Sequence, residues 1–140
     1  MNAKSTSFRL SEEARARLGE QAAFESFSAT ALLERLILEG IDALEHPGIV
    51  FRGPPHDRRA ALAAGPDVWE VVGRLRELGG SEEQRIASLA AESDLHPREI
   101  RLALDYAAAD PEDVTSRIER NQVEAEASRR AVDQREALLG

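Results

Sequence analysis

The sequence predicts a mainly α-helical chain. It begins with one short strand and two helices, continues as a helix-turn-helix-like helical domain, and ends in a long C-terminal helix. Three observations predict this. Period-two alternation is confined to residues 5–10. Beyond them, apolar side chains recur at helical spacing in one segment after another. Finally, neither Pro nor Gly occurs between Glu112 and Leu139, so nothing in the sequence stops a last helix there.

Thr6, Phe8 and Leu10 alternate with Ser5, Ser7 and Arg9, the pattern of a half-buried strand. Ser11-Glu12-Glu13 opens a helix with a hydroxyl cap and two carboxylates at the positive end of its dipole. Ala14, Leu18, Ala22 and Phe24 are expected on its inner side. After Ser26-Phe27-Ser28, a second helix capped by Ser28 or Thr30 carries Leu33, Leu36, Ile37, Ile41 and Leu44, and His46-Pro47-Gly48 ends it. Residues 49–65 suggest two short extended pieces around Arg52-Gly53-Pro54-Pro55.

Asp67 and Glu70 form a capping box before Val68, Val71, Val72, Leu75 and Leu78, and Gly79-Gly80 closes that helix. Ser81 to Gln84 is a second capping box, with Ile86, Leu89 and Ala90 facing inward. Pro97 stands at a first helical position, before Ile100, Ala103 and Leu104. Ala90, Leu95, Ile100 and Ala103 fall where a helix-turn-helix places small and core residues, and Asp94 takes the turn position that tolerates a left-handed backbone. Asp110-Pro111 starts the last helix. Beyond Glu119 its only larger apolar residues are Val123, Val132, Leu138 and Leu139, too few to bury within one chain. The expected organisation is 1–46, a connector over 47–66 that is irregular or short β, a helical domain over 67–110, and a partner-binding helix over 111–140.

Composition narrows the function. The 140 residues contain 26 acidic and 18 basic side chains, a net charge of −8, so any contact with DNA must come from a local cluster. No Cys is present, which excludes disulfides and thiolate chemistry. No apolar run is long enough to span a membrane, and residues 1–10 lack the apolar centre of a signal peptide, so a soluble, cytoplasmic protein is expected. His46, His56 and His96 are widely spaced and suit turns or caps, so no metal site and no cofactor is expected. No phosphate-binding loop, nucleophile elbow or paired carboxylates in a dry pocket can be identified, and no enzyme is expected.

A lone strand lacks a ladder for its backbone, and one strand with two helices makes too small a core. Both problems disappear if two chains pair their strands antiparallel. The ribbon then buries Phe8 and Leu10 and projects Ser5, Ser7 and Arg9, with Lys4 beside them, towards a DNA major groove. The start of the second helix, at Ser28 and Thr30, offers amides to a phosphate. A dimerisation module without DNA contact is the competing reading.

Phe8-Arg9-Leu10-Ser11-Glu12-Glu13, followed by Ser28-Ala29-Thr30-Ala31-Leu32-Leu33-Glu34-Arg35, resembles the ribbon-helix-helix DNA-binding family over residues 5–44. Phe27 and Ala29 stand where that family commonly has basic residues. His46-Pro47-Gly48-Ile49-Val50-Phe51-Arg52, Arg58-Arg59, Gly65-Pro66-Asp67-Val68-Trp69-Glu70-Val71-Val72 and Arg101-Leu102-Ala103-Leu104-Asp105-Tyr106 resemble an antitoxin-associated helical domain of bacteria, over residues 46–121. Proteins that combine such parts are similar to VapB-type antitoxins. The resemblance implies an antitoxin that neutralises a PIN-type ribonuclease toxin and represses its own operon as a homodimer on operator DNA.

PIN-type toxins hold metal with clustered carboxylates, so the resemblance implies a guanidinium inserted among them. The candidates are Arg129 and Arg130 with Arg120 on the same helix, and Arg58 with Arg59 as the competing pair. Trp69 is expected to pack on residues 52–62. The alternative function is a dimeric ribbon-helix-helix regulator with no toxin, its C-terminal half a protein–protein adaptor.

Overall fold

The computed structural model describes residues 4–140. The chain divides into two compact units, Met1–Leu44 and Glu45–Gly140. It is mainly helical, with one small antiparallel sheet, and no helix among the described residues is long and apolar enough to cross a membrane.

In the first unit, residues 4–10 form neither helix nor strand, and Phe8 is 80% exposed. The strand expected over residues 5–10 is therefore not a feature of the single chain. A strand needs a second backbone to bond with, and none is supplied there. Helix α1 spans Glu12–Glu25, and Ser11 Oγ accepts from the Ala14 N–H at 3.1 Å. Its inner side is narrower than expected: Ala22 is buried, Leu18 is half-buried, and Ala14 and Phe24 are exposed. Phe24 lies two residues from Ala22, so at about 100° per residue the two point to opposite sides. The helix ends at Ser26, whose φ of 60° is left-handed. Helix α2, Ala29–Glu45, starts at Ser28, whose Oγ accepts from the Ala31 N–H at 3.0 Å. Arg35 returns to the end of α1 and donates to both Glu25 oxygens, at 3.0 and 3.2 Å.

The second unit begins with a hairpin. Strands β1 (Ile49–Arg52) and β2 (Arg59–Leu62) pair antiparallel, with Ile49 opposite Leu62 and Arg52 opposite Arg59. Helices α3 (Val68–Glu77), α4 (Glu82–Glu92), α5 (Pro97–Ala109) and α6 (Pro111–Leu139) follow. Three of the four starts are closed by side chains. Glu70 accepts from the Asp67 N–H at 3.1 Å, Ser81 and Gln84 bond reciprocally, and His96 Nδ1 accepts from the Arg98 N–H at 3.0 Å. Asp94 does not take the expected left-handed conformation: Ser26 is the only described non-glycine with positive φ. Ser93 turns this corner instead, its hydroxyl donating to the Leu89 carbonyl and accepting from the Leu95 N–H.

One core joins these elements. Ile49, Leu62, Val68, Val71, Leu75, Ile86, Leu89, Ile100 and Ala103 are buried together, and Val114 and Ile118 bring in the start of α6. The hairpin and the first turns of α6 thus share the core of α3–α5. Buried residues of α6 end at Ile118, and Val123, Val132, Leu138 and Leu139 are exposed. The second half of α6 has no core of its own.

Candidate functional site

The densest polar cluster of the second unit is built on Asp67, the residue just before α3. Its carboxylate is buried and points back at the hairpin: Arg59 Nε donates to it at 2.6 Å, Trp69 Nε1 at 3.2 Å and Arg52 Nη2 at 3.3 Å. Arg52 also donates to the Gly65 carbonyl at 2.6 Å. Asp57, at the hairpin turn, accepts from Arg117 of α6 at 2.9 Å and pairs with Arg59 at 3.5 Å. Arg117 further donates to the Arg58 carbonyl at 2.8 Å and to Asp113 at 3.3 Å. Arginines 52, 59 and 117 thus alternate with aspartates 67, 57 and 113, which ties β1, β2, α3 and α6 together by charge-assisted bonds.

This arrangement shifts the acid–base properties of its members. The Arg117 hydrogen bond is the main cause that holds the Asp57 carboxyl below its usual value, against partial desolvation. Arg59 is raised, chiefly by its bond to Asp67. Burial pushes Arg117 down, but the Asp57 bond and the Asp113 charge outweigh it, and the net direction is upward. All three stay ionised at neutral pH, which suits a fixed scaffold.

The sequence candidates separate into groups. Arg58 and Arg59 do not present free guanidinium groups: Arg59 is spent on Asp67 and Asp57, and Arg58 donates to the Gly53 carbonyl at 2.6 Å and to the Phe51 carbonyl at 3.3 Å. Arg120, Arg129 and Arg130 are exposed on α6 and bonded to no described residue. In the first unit Lys4, Ser5, Ser7, Arg9, Ser28 and Thr30 are all exposed. Ser28 is the cap of α2, which occupies the Ala31 amide and leaves those of Ala29 and Thr30 for any anion. His96 serves as a cap, and His46 meets Tyr106 edge-on at 5.2 Å.

Sequence reasoning missed Arg52, Asp57 and Arg117. The spacing of Asp113 and Arg117, i and i+4 on a helix, signals one local pair, but nothing in it points sixty residues back to Asp57. Trp69 lies beside β2 as expected, and its ring borders a depression of about 270 Å³ shared with Arg59, Arg117 and Arg120. No known protein family, curated protein or solved structure matches the chain.

Proposed function

We propose that the protein is a cytoplasmic, homodimeric antitoxin that neutralises a PIN-type ribonuclease toxin and represses its own operon, with no catalytic role of its own. The observation that carries this reading is the apolar surface of α2. Leu36, Ile37, Leu38, Ile41 and Leu44 are each 45% to 80% exposed in the single chain. A patch of this size on a water-facing helix calls for a partner. A second copy would supply both a cover for α2 and the strand that residues 5–10 lack.

In such a dimer, residues 5–10 of the two chains pair as a ribbon with Ser5, Ser7 and Arg9 outward, and Lys4 adds charge next to phosphate. This local basic cluster is what an acidic protein needs to hold DNA. Ser28 and Thr30 place the start of α2 against the backbone, where two amides remain for a phosphate. The helix-turn-helix-like pair α4 and α5 is read as scaffold, since α5 sets Glu99 and Asp105 beside Arg98 and Arg101.

The bare half of α6 is the toxin-binding element. An isolated helix with so few large apolar side chains is marginal in water, and a partner would stabilise it. Arg120, Arg129 and Arg130 have forks free to bind the carboxylates of a ribonuclease metal site. Arg58 and Arg59 drop out of that role, because their donors are used inside the unit.

Co-expression with the protein encoded by the adjacent reading frame tests the proposal. Co-purification of a small ribonuclease with its activity suppressed is expected. A ribonuclease that does not bind, or that binds and stays active, would leave the alternative of a regulator with an adaptor half.

A further inference from the structure

We propose that Gly40 marks the point where α2 crosses the α2 of a second copy, with the two backbones in close contact. The inference rests on the dimer reading and adds to it the position and the closeness of the crossing.

Gly40 stands in the interior of α2, where glycine is less favourable than Ala because it has more backbone freedom to lose. Nothing in the single chain requires it: apart from the backbone of its own helix, no atom lies within 4 Å of where a Cβ would stand. Its surroundings on the helix surface are apolar. At about 100° per residue, Leu36 and Leu44 fall about 40° to either side of it, Leu33 about 20° and Ile37 about 60° away. No charged side chain of α2 falls among them. Glu39, the next residue back, lies about 100° away and pairs with Arg35 at 3.7 Å inside the unit. Gly19 of α1 is equally open, but Arg15 and Ala23, one turn before and after it, form no such apolar row.

Leu36, Gly40 and Leu44 belong to one row of residues four apart, the ridge by which helices most commonly interdigitate. A large side chain, none, and a large one again leave a notch with backbone at its floor. Whatever fills it must come close without a side chain of its own at the centre, and a second Gly40 meets that condition. The extent of the face also suits a copy. Phe8, Leu36, Ile37, Ile41 and Leu44 leave on the order of 600 Å² per chain in water, near the roughly 800 Å² per partner that a specific interface covers. A copy also brings the strand that residues 5–10 lack. Glu34 and Glu45 stand about 9 and 8 Å along the axis from Gly40, so at a crossed contact they diverge from the partner helix into water.

Sedimentation equilibrium of the full-length chain tests the crossing. Gly40→Ala is expected to raise the dissociation constant of the dimer roughly tenfold, and Gly40→Leu roughly a hundredfold or more, because each holds the backbones apart. The Ala variant decides, since the single chain has room for its methyl group and far-ultraviolet dichroism should show helix content kept or increased. Gly73→Ala in α3 of the second unit, whose Cβ would meet Ile118 at an ordinary 3.7 Å, should leave association unchanged. Gly40→Ala that associates as tightly as the wild type, Gly40→Leu that associates more tightly, or an equal loss in Gly73→Ala would overturn the proposal. A wild-type chain that stays monomeric would remove the dimer reading and the crossing together. A wild-type dimer indifferent to Gly40→Ala would remove the crossing alone.

Discussion

Arg117 on the last helix donates to Asp57 at the hairpin turn across 2.9 Å, although sixty residues separate them in the chain. The same guanidinium bonds the Arg58 carbonyl and Asp113, so one side chain pins α6 to the hairpin near the point where the helix leaves the core. That anchor matters because apolar burial on α6 stops one residue later, at Ile118. Everything beyond projects from the point that Arg117 fixes.

Replacing Arg117 with Ala should therefore destabilise the second unit. The lost bonds are charge-assisted but lie near the surface, and Asp57 can rehydrate, so the cost is about 1–2 kcal/mol. Urea unfolding measures it. An unchanged midpoint would mean that the bond to Asp57 contributes nothing net.

The Asp57 bond also sets a pH dependence. Its carboxyl is lowered in the folded state from the ordinary 3.8, so its stabilisation is fully present above that value and fades as pH falls through the lowered one. Arg59 and Arg117 are raised above the ordinary guanidinium value, so neither loses its own charge in this range and the pH dependence comes from the carboxylate. The stability gap between the wild type and Asp57→Asn should be constant from pH 7 to about 5 and narrow progressively as pH falls below 3.8. A gap that does not narrow at all between pH 5 and pH 2.5, measured by urea midpoints at each pH, would trace the effect of the variant to something other than the charge.

Gly53 at the hairpin turn has a φ of 108°, and a Cβ there would run into the carbonyl oxygen of Asp57. Backbone cannot yield as a flexible side chain can. Gly53→Ala should cost about 2 kcal/mol or more and disturb the Asp57–Arg117 pair with it. Adding it to Arg117→Ala should then cost less than the sum of the two, because they share a partner.

Removal of residues 122–140 should change the unfolding free energy of the second unit by no more than about 0.5 kcal/mol, since no buried side chain is lost. Under the proposed function the same truncation abolishes toxin inhibition and spares DNA binding. Full inhibition by the shortened chain would place the toxin contact upstream.

The second unit was largely legible because its signals are local. Ser81 with Gln84, Pro97 and the Val68–Val71–Val72–Leu75 spacing each fix a helix from within one or two turns, and each stands where expected. The bare second half of α6 was equally readable from its lack of large apolar residues. The Asp67 cluster was not, because Asp67 reads as an ordinary cap and its partners on the hairpin are chosen by tertiary packing. Arg58 and Arg59 looked like a free basic pair for the same reason. In the first unit the helix boundaries were legible, yet the orientation of Phe24 was not: periodicity names the apolar residues without saying which of them a single chain can cover.

The uncovered residues of α2 yield the sharpest test of the dimer. Ile41 is 47% exposed in the single chain, so if the protein works as a monomer, Ile41→Glu is a surface change with little effect. In a dimer that covers α2, the same substitution sets a carboxylate against apolar surface, at a cost of several kcal/mol unless it is neutralised. The expected result is a dissociation constant raised roughly a hundredfold or more, read by sedimentation equilibrium. Glu126→Gln, exposed on α6 in the second unit, should leave it unchanged. Operator binding should fall in Ile41→Glu along with association, and in Arg9→Ala without any loss of association. If Ile41→Glu sediments as the wild type does, α2 is not the dimer face, and the ribbon loses the geometry that would pair it.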